Sequence, residues 1–117
     1  MKNKNSTRAY SDIQEKSVCK ALNAIQTPNS GAGLFYKGDC VNSSASILIE
    51  CKTCMKEKDS FSIKKEWLTK NKEEAFSRRL SNHCLAFNFG PNEDNYYIIN
   101  EKLMKYLIDK LEEEYKD

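Results

Sequence analysis

Asp39 is followed, eleven positions on, by Glu50-Cys51-Lys52, which places two carboxylates and an ammonium within one short stretch. The segment Ser46 to Thr53 is the clearest strand in the chain, with Ile47-Leu48-Ile49 at its heart. Side chains on a strand alternate between faces, so Glu50 and Lys52 point one way and Ile47, Ile49 and Cys51 point toward a core. Asp39 opens the preceding hairpin, from which its carboxylate can converge on Glu50. Hydrolysis of a phosphodiester needs a nucleophilic water, neutralised phosphoryl oxygens and a stabilised leaving alkoxide. Hard oxygen donors of this kind suit one or two Mg²⁺ or Mn²⁺ ions, which keep several waters and accept phosphate oxygens. Asp39, Glu50 and the backbone carbonyl of Cys51 are the expected ligands. Lys52 is expected to orient or help deprotonate the attacking water. Two acids beside a lysine also make an ordinary surface ion pair, so the surrounding elements must decide.

Ser11-Asp12-Ile13-Gln14 fits a capping box, predicting a first helix from Ser11 to about Ile25 behind a loose basic arm at residues 1–10. Val18, Ala21, Leu22 and Ile25 share one face of that helix, and Glu15 lies at the edge of the stripe, where an acid is costly without a partner. Gln26 to Gly33 reads as a turn-rich loop. Leu34 to Lys37 and Asp39 to Val41 read as short strands around Gly38, and Phe61 to Ile63 as another. A second helix is predicted over Lys65 to about Leu80, with Trp67, Leu68, Asn71, Ala75 and Phe76 inward. Cys84 to Phe89 and Tyr96 to Ile99 form a hairpin across the turn Gly90 to Asn95, and Asn100 caps a last helix through Leu103, Leu107 and Leu111. The expected fold is α/β, a mixed central sheet flanked by helices in the order α-β-β-β-α-β-β-α.

A chain of 117 residues has room for a single domain, here 1–117, and its 39% hydrophobic and 31% charged residues are those of a globular one. No apolar run approaches the roughly 20 residues needed to span a bilayer, and the N-terminal residues lack the apolar core of a signal peptide. The expected location is the cytoplasm. Five cysteines are an odd number, consistent with small buried hydrophobes. From Lys52 to Arg79 nine Lys/Arg stand against five Asp/Glu, whereas from Glu101 onward four stand against six. A basic middle and an acidic tail suit a polyanion on one side of the molecule. Arg8, Lys37, Lys56, Lys58, Lys64, Lys65, Arg78 and Arg79 are the candidate DNA phosphate contacts.

The arrangement resembles the PD-(D/E)XK nucleases, whose core is α-β-β-β-α-β, and within them the archaeal-type Holliday-junction resolvases and related phage recombination endonucleases. The resemblance runs from about Ser11 to Ile99. Gly38-Asp39 stands where that family has its metal aspartate, and Ile49-Glu50-Cys51-Lys52-Thr53 where it has its catalytic strand. Ser30-Gly31-Ala32-Gly33 is similar to its Ser-Gly loop, and Glu15 to its first-helix glutamate. It implies Asp39, Glu50 and Lys52 as catalytic, Glu15 as a second metal ligand or water-orienting group, and Ser30 beside the scissile phosphate. It further implies a homodimer cutting opposed strands of branched DNA, in the host cytoplasm if the chain is phage-encoded. The loop before the hairpin is poor in arginine, a departure that bears on junction selectivity.

Other readings compete. A restriction or repair nuclease shares the same site with a different DNA shape. Cys51-Lys52-Thr53-Cys54 with His83 would suit a Zn²⁺-stabilised, non-catalytic nucleic-acid-binding module, although strand geometry sends Cys51 and Cys54 to opposite faces. His83 reads better as a cap at the start of the late strand. Trp67, Phe76, Phe87 and Phe89 read as core or dimer interface, with Trp67 and the late strand the first places to seek a dimer. One of Tyr96 and Tyr97 is expected at the surface.

Overall fold

The computed structural model describes residues 3–27, 39–54 and 56–116, those of 3–11 by backbone alone. Its elements are α1 (Asn3–Ala21), β1 (Ile25–Gln26), β2 (Asp39–Asn42), β3 (Ile47–Lys52), α2 (Lys65–Ser77), β4 (Asn82–Phe87), β5 (Tyr96–Ile99) and α3 (Glu101–Glu114). The five strands form one mixed sheet in the order β1-β2-β3-β4-β5. β3 and β4 run parallel, joined through α2, and every other neighbour pair is antiparallel. The fold is therefore α/β with a mixed sheet and flanking helices, compatible with a restriction-endonuclease-like core that carries an extra C-terminal helix.

Helix boundaries depart from the sequence reading for local reasons. The arm and its Ser11 cap are replaced by continuous helix from Asn3, because Ser inside a helix costs only about 0.5 kcal/mol. The far end of α1 stops at Ala21, short of Ile25. Asn23 takes a positive φ of 53°, and the Ala24 N–H donates back to the Cys19 carbonyl at 2.8 Å, a Schellman closure. α2 ends the same way, with Arg79 at φ 61° and the Leu80 N–H on the Ala75 carbonyl, so it stops at Ser77 and not at Leu80. Ile25 and Gln26, freed from the helix, become β1. Phe61 to Ile63 pair with nothing among the described residues and form no strand. The strand expected at Leu34–Lys37 lies outside the described residues.

Alternation along the strands divides the core. On one face Val18 of α1 packs against Cys40, Ile49, Cys84 and Ala86, with Ile47, Cys51, Tyr97 and Ile99 around them. Full burial of an aliphatic side chain such as Val18 or Ile49 contributes on the order of 2 kcal/mol. Cys40, Cys54 and Cys84 are buried, as a small hydrophobe should be. Burial pushes the Cys19 and Cys84 thiols up to about 12, which holds them protonated. The opposite face carries Leu48 and Leu85 beneath Asn71 and Ala75 of α2. Phe76, expected inward, is 84% exposed: it lies beyond the stripe that Trp67, Asn71 and Ala75 define at helical spacing. His83 sits within β4, its Nδ1 hydrogen-bonded to the Asn71 side chain at 3.2 Å, and caps nothing.

Candidate active site

β2 and β3 are joined by a tight turn in which Ser46 adopts a φ of 55° and its N–H reaches the Ser43 carbonyl. The Asn42 side chain fixes this turn to the end of α1 by donating to the carbonyls of Leu22 and Asn23 at 3.0 and 3.1 Å. The register that results pairs Asp39 directly with Glu50. Directly opposed residues of an antiparallel pair project to the same face, so the two carboxylates lie side by side. Like charges at opposed positions destabilise a sheet. Lys52, two residues beyond Glu50, shares that face, and its Nζ lies 3.0 Å from Glu50 Oε2.

Glu74 of α2 and Arg78, the residue at its C-cap, complete the group, and the sequence reading assigned neither to the acids. The Arg78 guanidinium reaches two carboxylates, 2.6 Å from Glu74 Oε2 and 3.9 Å from Asp39 Oδ2. Arg78, expected as a phosphate contact, is thus in this structure the counter-ion of the cluster. Glu74 lies close enough to Asp39 to be the strongest charge acting on it. Asp39 is only 3% exposed. Its carboxyl is pushed up to about 7 by burial first, then by the charges of Glu74 and Glu50, with Arg78 pulling the other way. Asp39 Oδ2 is buried and accepts no hydrogen bond among the described residues.

Lys52 is held from both sides. Its ammonium lies 4.5 Å from the centre of the Trp67 ring, within range of a cation–π contact, and its own carbonyl accepts from Gln14 Nε2 at 2.7 Å. Gln14 is buried and also donates to the Ala86 carbonyl at 3.4 Å, tying α1 to the ends of β3 and β4. Trp67 is therefore committed to Lys52 and to Phe61, whose ring is 6.3 Å away, while β4 is an interior strand. Phe87 and Phe89 join Tyr96 in an aromatic cluster beside Lys52, and Tyr96 is the exposed one of the two adjacent tyrosines.

The remaining site residues fall in three places. Glu15 is buried on α1, where Gln26 Nε2 donates to its Oε1. Gln26 pairs with Cys40 across β1 and β2, so Glu15 is held on the α1 face and the sheet lies between it and Asp39. Lys56, Lys58 and Lys64 rim an open groove with Phe61 and Trp67, next to Lys52. Lys65 and Arg79 are exposed at opposite ends of α2. Ser30 and Lys37 lie outside the described residues, as does the side chain of Arg8.

A buried oxygen without a hydrogen bond, flanked by two further carboxylates, fits the donor chemistry of a divalent cation such as Mg²⁺. As the side chains stand, no three His, Cys, Asp or Glu among the described residues are close enough together to hold a metal ion. Lys52 and Arg78 neutralise Glu50 and Glu74 instead. Metal binding at this site would thus exchange ammonium and guanidinium contacts for ionic ligation. Comparison with family models, with curated proteins and with solved structures finds no match to the chain.

Proposed function

We propose that the chain is a metal-dependent endodeoxyribonuclease of the PD-(D/E)XK type, acting on branched DNA as a Holliday-junction resolvase does. The observation that carries this reading is the direct opposition of Asp39 and Glu50 across β2 and β3, with Lys52 on the same face. A fold gains nothing in stability from opposing two acids there, and phosphoryl chemistry has a use for them. One or two Mg²⁺ or Mn²⁺ ions, held by Asp39, Glu50 and the Cys51 carbonyl, would neutralise the phosphate and lower the pKa of a bound water. Glu74 supplies a further oxygen donor on the opposing helix. Lys52 Nζ, kept in place by the Trp67 ring, orients the attacking water. Arg78, once its carboxylates have another cation, offers its guanidinium to a phosphoryl oxygen. The groove edged by Lys56, Lys58 and Lys64 supports binding of the nucleic-acid backbone beside Lys52.

The test is cleavage by the purified chain of a panel holding a four-way junction, a flap, linear duplex and single-stranded DNA, with Mg²⁺ or Mn²⁺. The expected result is metal-dependent cutting of the junction, abolished by Asp39→Asn and by Lys52→Ala. Preference for another member of the panel would redirect the reading to a restriction or repair nuclease. Failure to cut any of them with either ion would leave a nucleic-acid-binding module and remove the enzyme.

A further inference from the structure

α3 begins directly from its cap, Asn100, whose side chain accepts from the Leu103 N–H at 2.9 Å. Its 14 residues make a rod about 21 Å long, none of them buried. Leu103, Tyr106 and Leu107 overlie a cleft against the sheet. Met104, Ile108, Leu111 and Tyr115 form a second row turned away from that cleft, exposed by 51, 43, 48 and 77% respectively. Their spacing of four, three and four residues is that of a helix–helix seam, in which each side chain inserts between residues of a facing helix. Four large apolar groups in one exposed row need a cover.

The charges on α3 say which helix fits. Its first half carries Glu101, Lys102 and Lys105, and its second Asp109, Lys110, Glu112, Glu113 and Glu114, so the two halves differ in sign. Lys105 and Glu112 are seven residues apart, so they flank the row on the same side. In two copies of α3 laid parallel each flank of the row meets the opposite flank of the other copy, so Lys105 and Glu112 would face Asn100 and Leu107 and find no charge partner. Laid antiparallel about a two-fold axis, each Lys105 meets the Glu112 of the other copy, twice over, and Ile108 and Leu111 meet at the centre. We propose that α3 is a self-association helix, pairing antiparallel with α3 of a second copy of this chain through Met104, Ile108, Leu111 and Tyr115. This does not depend on the nuclease reading. α3 lies over the sheet face that carries Ile47, Cys84 and Ile99, the one packed on α1, whereas Asp39 and Glu50 project from the opposite face. Contact between two rods of this length is small for an interface, so the dimer forms in a concentration-dependent way.

Sedimentation velocity of the full chain from ~5 to ~300 μM tests it. The expected result is a monomer–dimer equilibrium within that range, with Ile108→Glu monomeric throughout and unchanged in circular dichroism. Lys105→Glu or Glu112→Lys alone should weaken the dimer by about tenfold, and the two together should restore it, because the swap rebuilds the same pairs with reversed sign. The charge variants touch only the helix surface, so they remain informative if Ile108→Glu does not fold. A wild-type chain that stays monomeric at every concentration overturns the proposal. So does a dimer that persists in Ile108→Glu, or a double swap weaker than either single variant.

Discussion

Asp39→Asn should stabilise the fold while destroying the site, and the gain should depend on pH in a defined direction. The Asp39 carboxyl is displaced from 3.8 to about 7, by burial and by the charges of Glu74 and Glu50. Between those two values the folded chain keeps a proton that the unfolded chain has lost. Stability therefore falls as pH rises through this window and stays reduced above 7. At about 1.4 kcal/mol per tenfold change, the full penalty is on the order of 4 kcal/mol. Asn carries no charge at any pH, so the variant should match the wild type below pH 4 and exceed it above pH 7. Allowing for the lost Arg78 contact, the lead at pH 8.5 should be ~2–4 kcal/mol, or roughly 10 °C in melting temperature for a domain of this size. The assay is thermal unfolding by circular dichroism at pH 4, 5.5, 7 and 8.5 in EDTA. Parallel stability curves, or a variant weaker than the wild type at pH 8.5, would refute the argument that Asp39 is held at an electrostatic cost. Repeating the melts with Mg²⁺ at about ten times its dissociation constant should return ~1.4 kcal/mol to the wild type and nothing to Asp39→Asn.

Glu74→Gln removes the strongest charge acting on Asp39, so the Asp39 midpoint of about 7 should fall, as read by carboxyl-carbon NMR. An unmoved midpoint would take Glu74 out of the cluster. Trp67→Ala should leave the sheet intact but slow metal-dependent cleavage by about fivefold, the value of a ~1 kcal/mol cation–π contact 4.5 Å from Lys52 Nζ, measured on the preferred DNA of the panel. Gly90→Ala should cost ~2–3 kcal/mol in urea unfolding: Gly90 has a φ of 151°, and an added Cβ would stand 2.8 Å from the Glu57 Cα.

Much of the frame was legible because it rests on period and turn chemistry. The alternation through Ile47 to Lys52 gave β3 its faces, Asn100 announced α3, and the Gly90 turn announced the hairpin. What could not be read were the places where a single backbone angle overrides a helical pattern. Asn23 and Arg79 close α1 and α2 early, and residues of both types continue helices elsewhere. β1 follows from the first of these, since only a stopped α1 releases Ile25 and Gln26 to pair with Val41 and Cys40. Phe61 to Ile63 had a strand's composition and, among the described residues, no strand beside it to pair with.

The acids of α2 were hidden for a different reason, which bears on the site itself. Trp67, Asn71, Glu74 and Arg78 recur at spacings of four, three and four, the same inward stripe that buries Asn71 and Ala75. Hydrophobicity alone reads Glu74 and Arg78 as solvated, two more charges in a basic helix. Their placement opposite β2 makes sense only once the register sets Asp39 against Glu50. From there the argument runs through electrostatics. Two opposed carboxylates on a buried face need positive charge, and Arg78 and Lys52 provide it within 3.9 and 3.0 Å of Asp39 and Glu50. Asp39 is the buried member of the cluster, and a purely structural role there would be served as well by an apolar residue, without the cost of holding a carboxylate out of water. Keeping two acids, a third across from them and two cations is therefore a cost in stability, and that cost, more than any spacing in the sequence, is what the proposed chemistry on this face rests on.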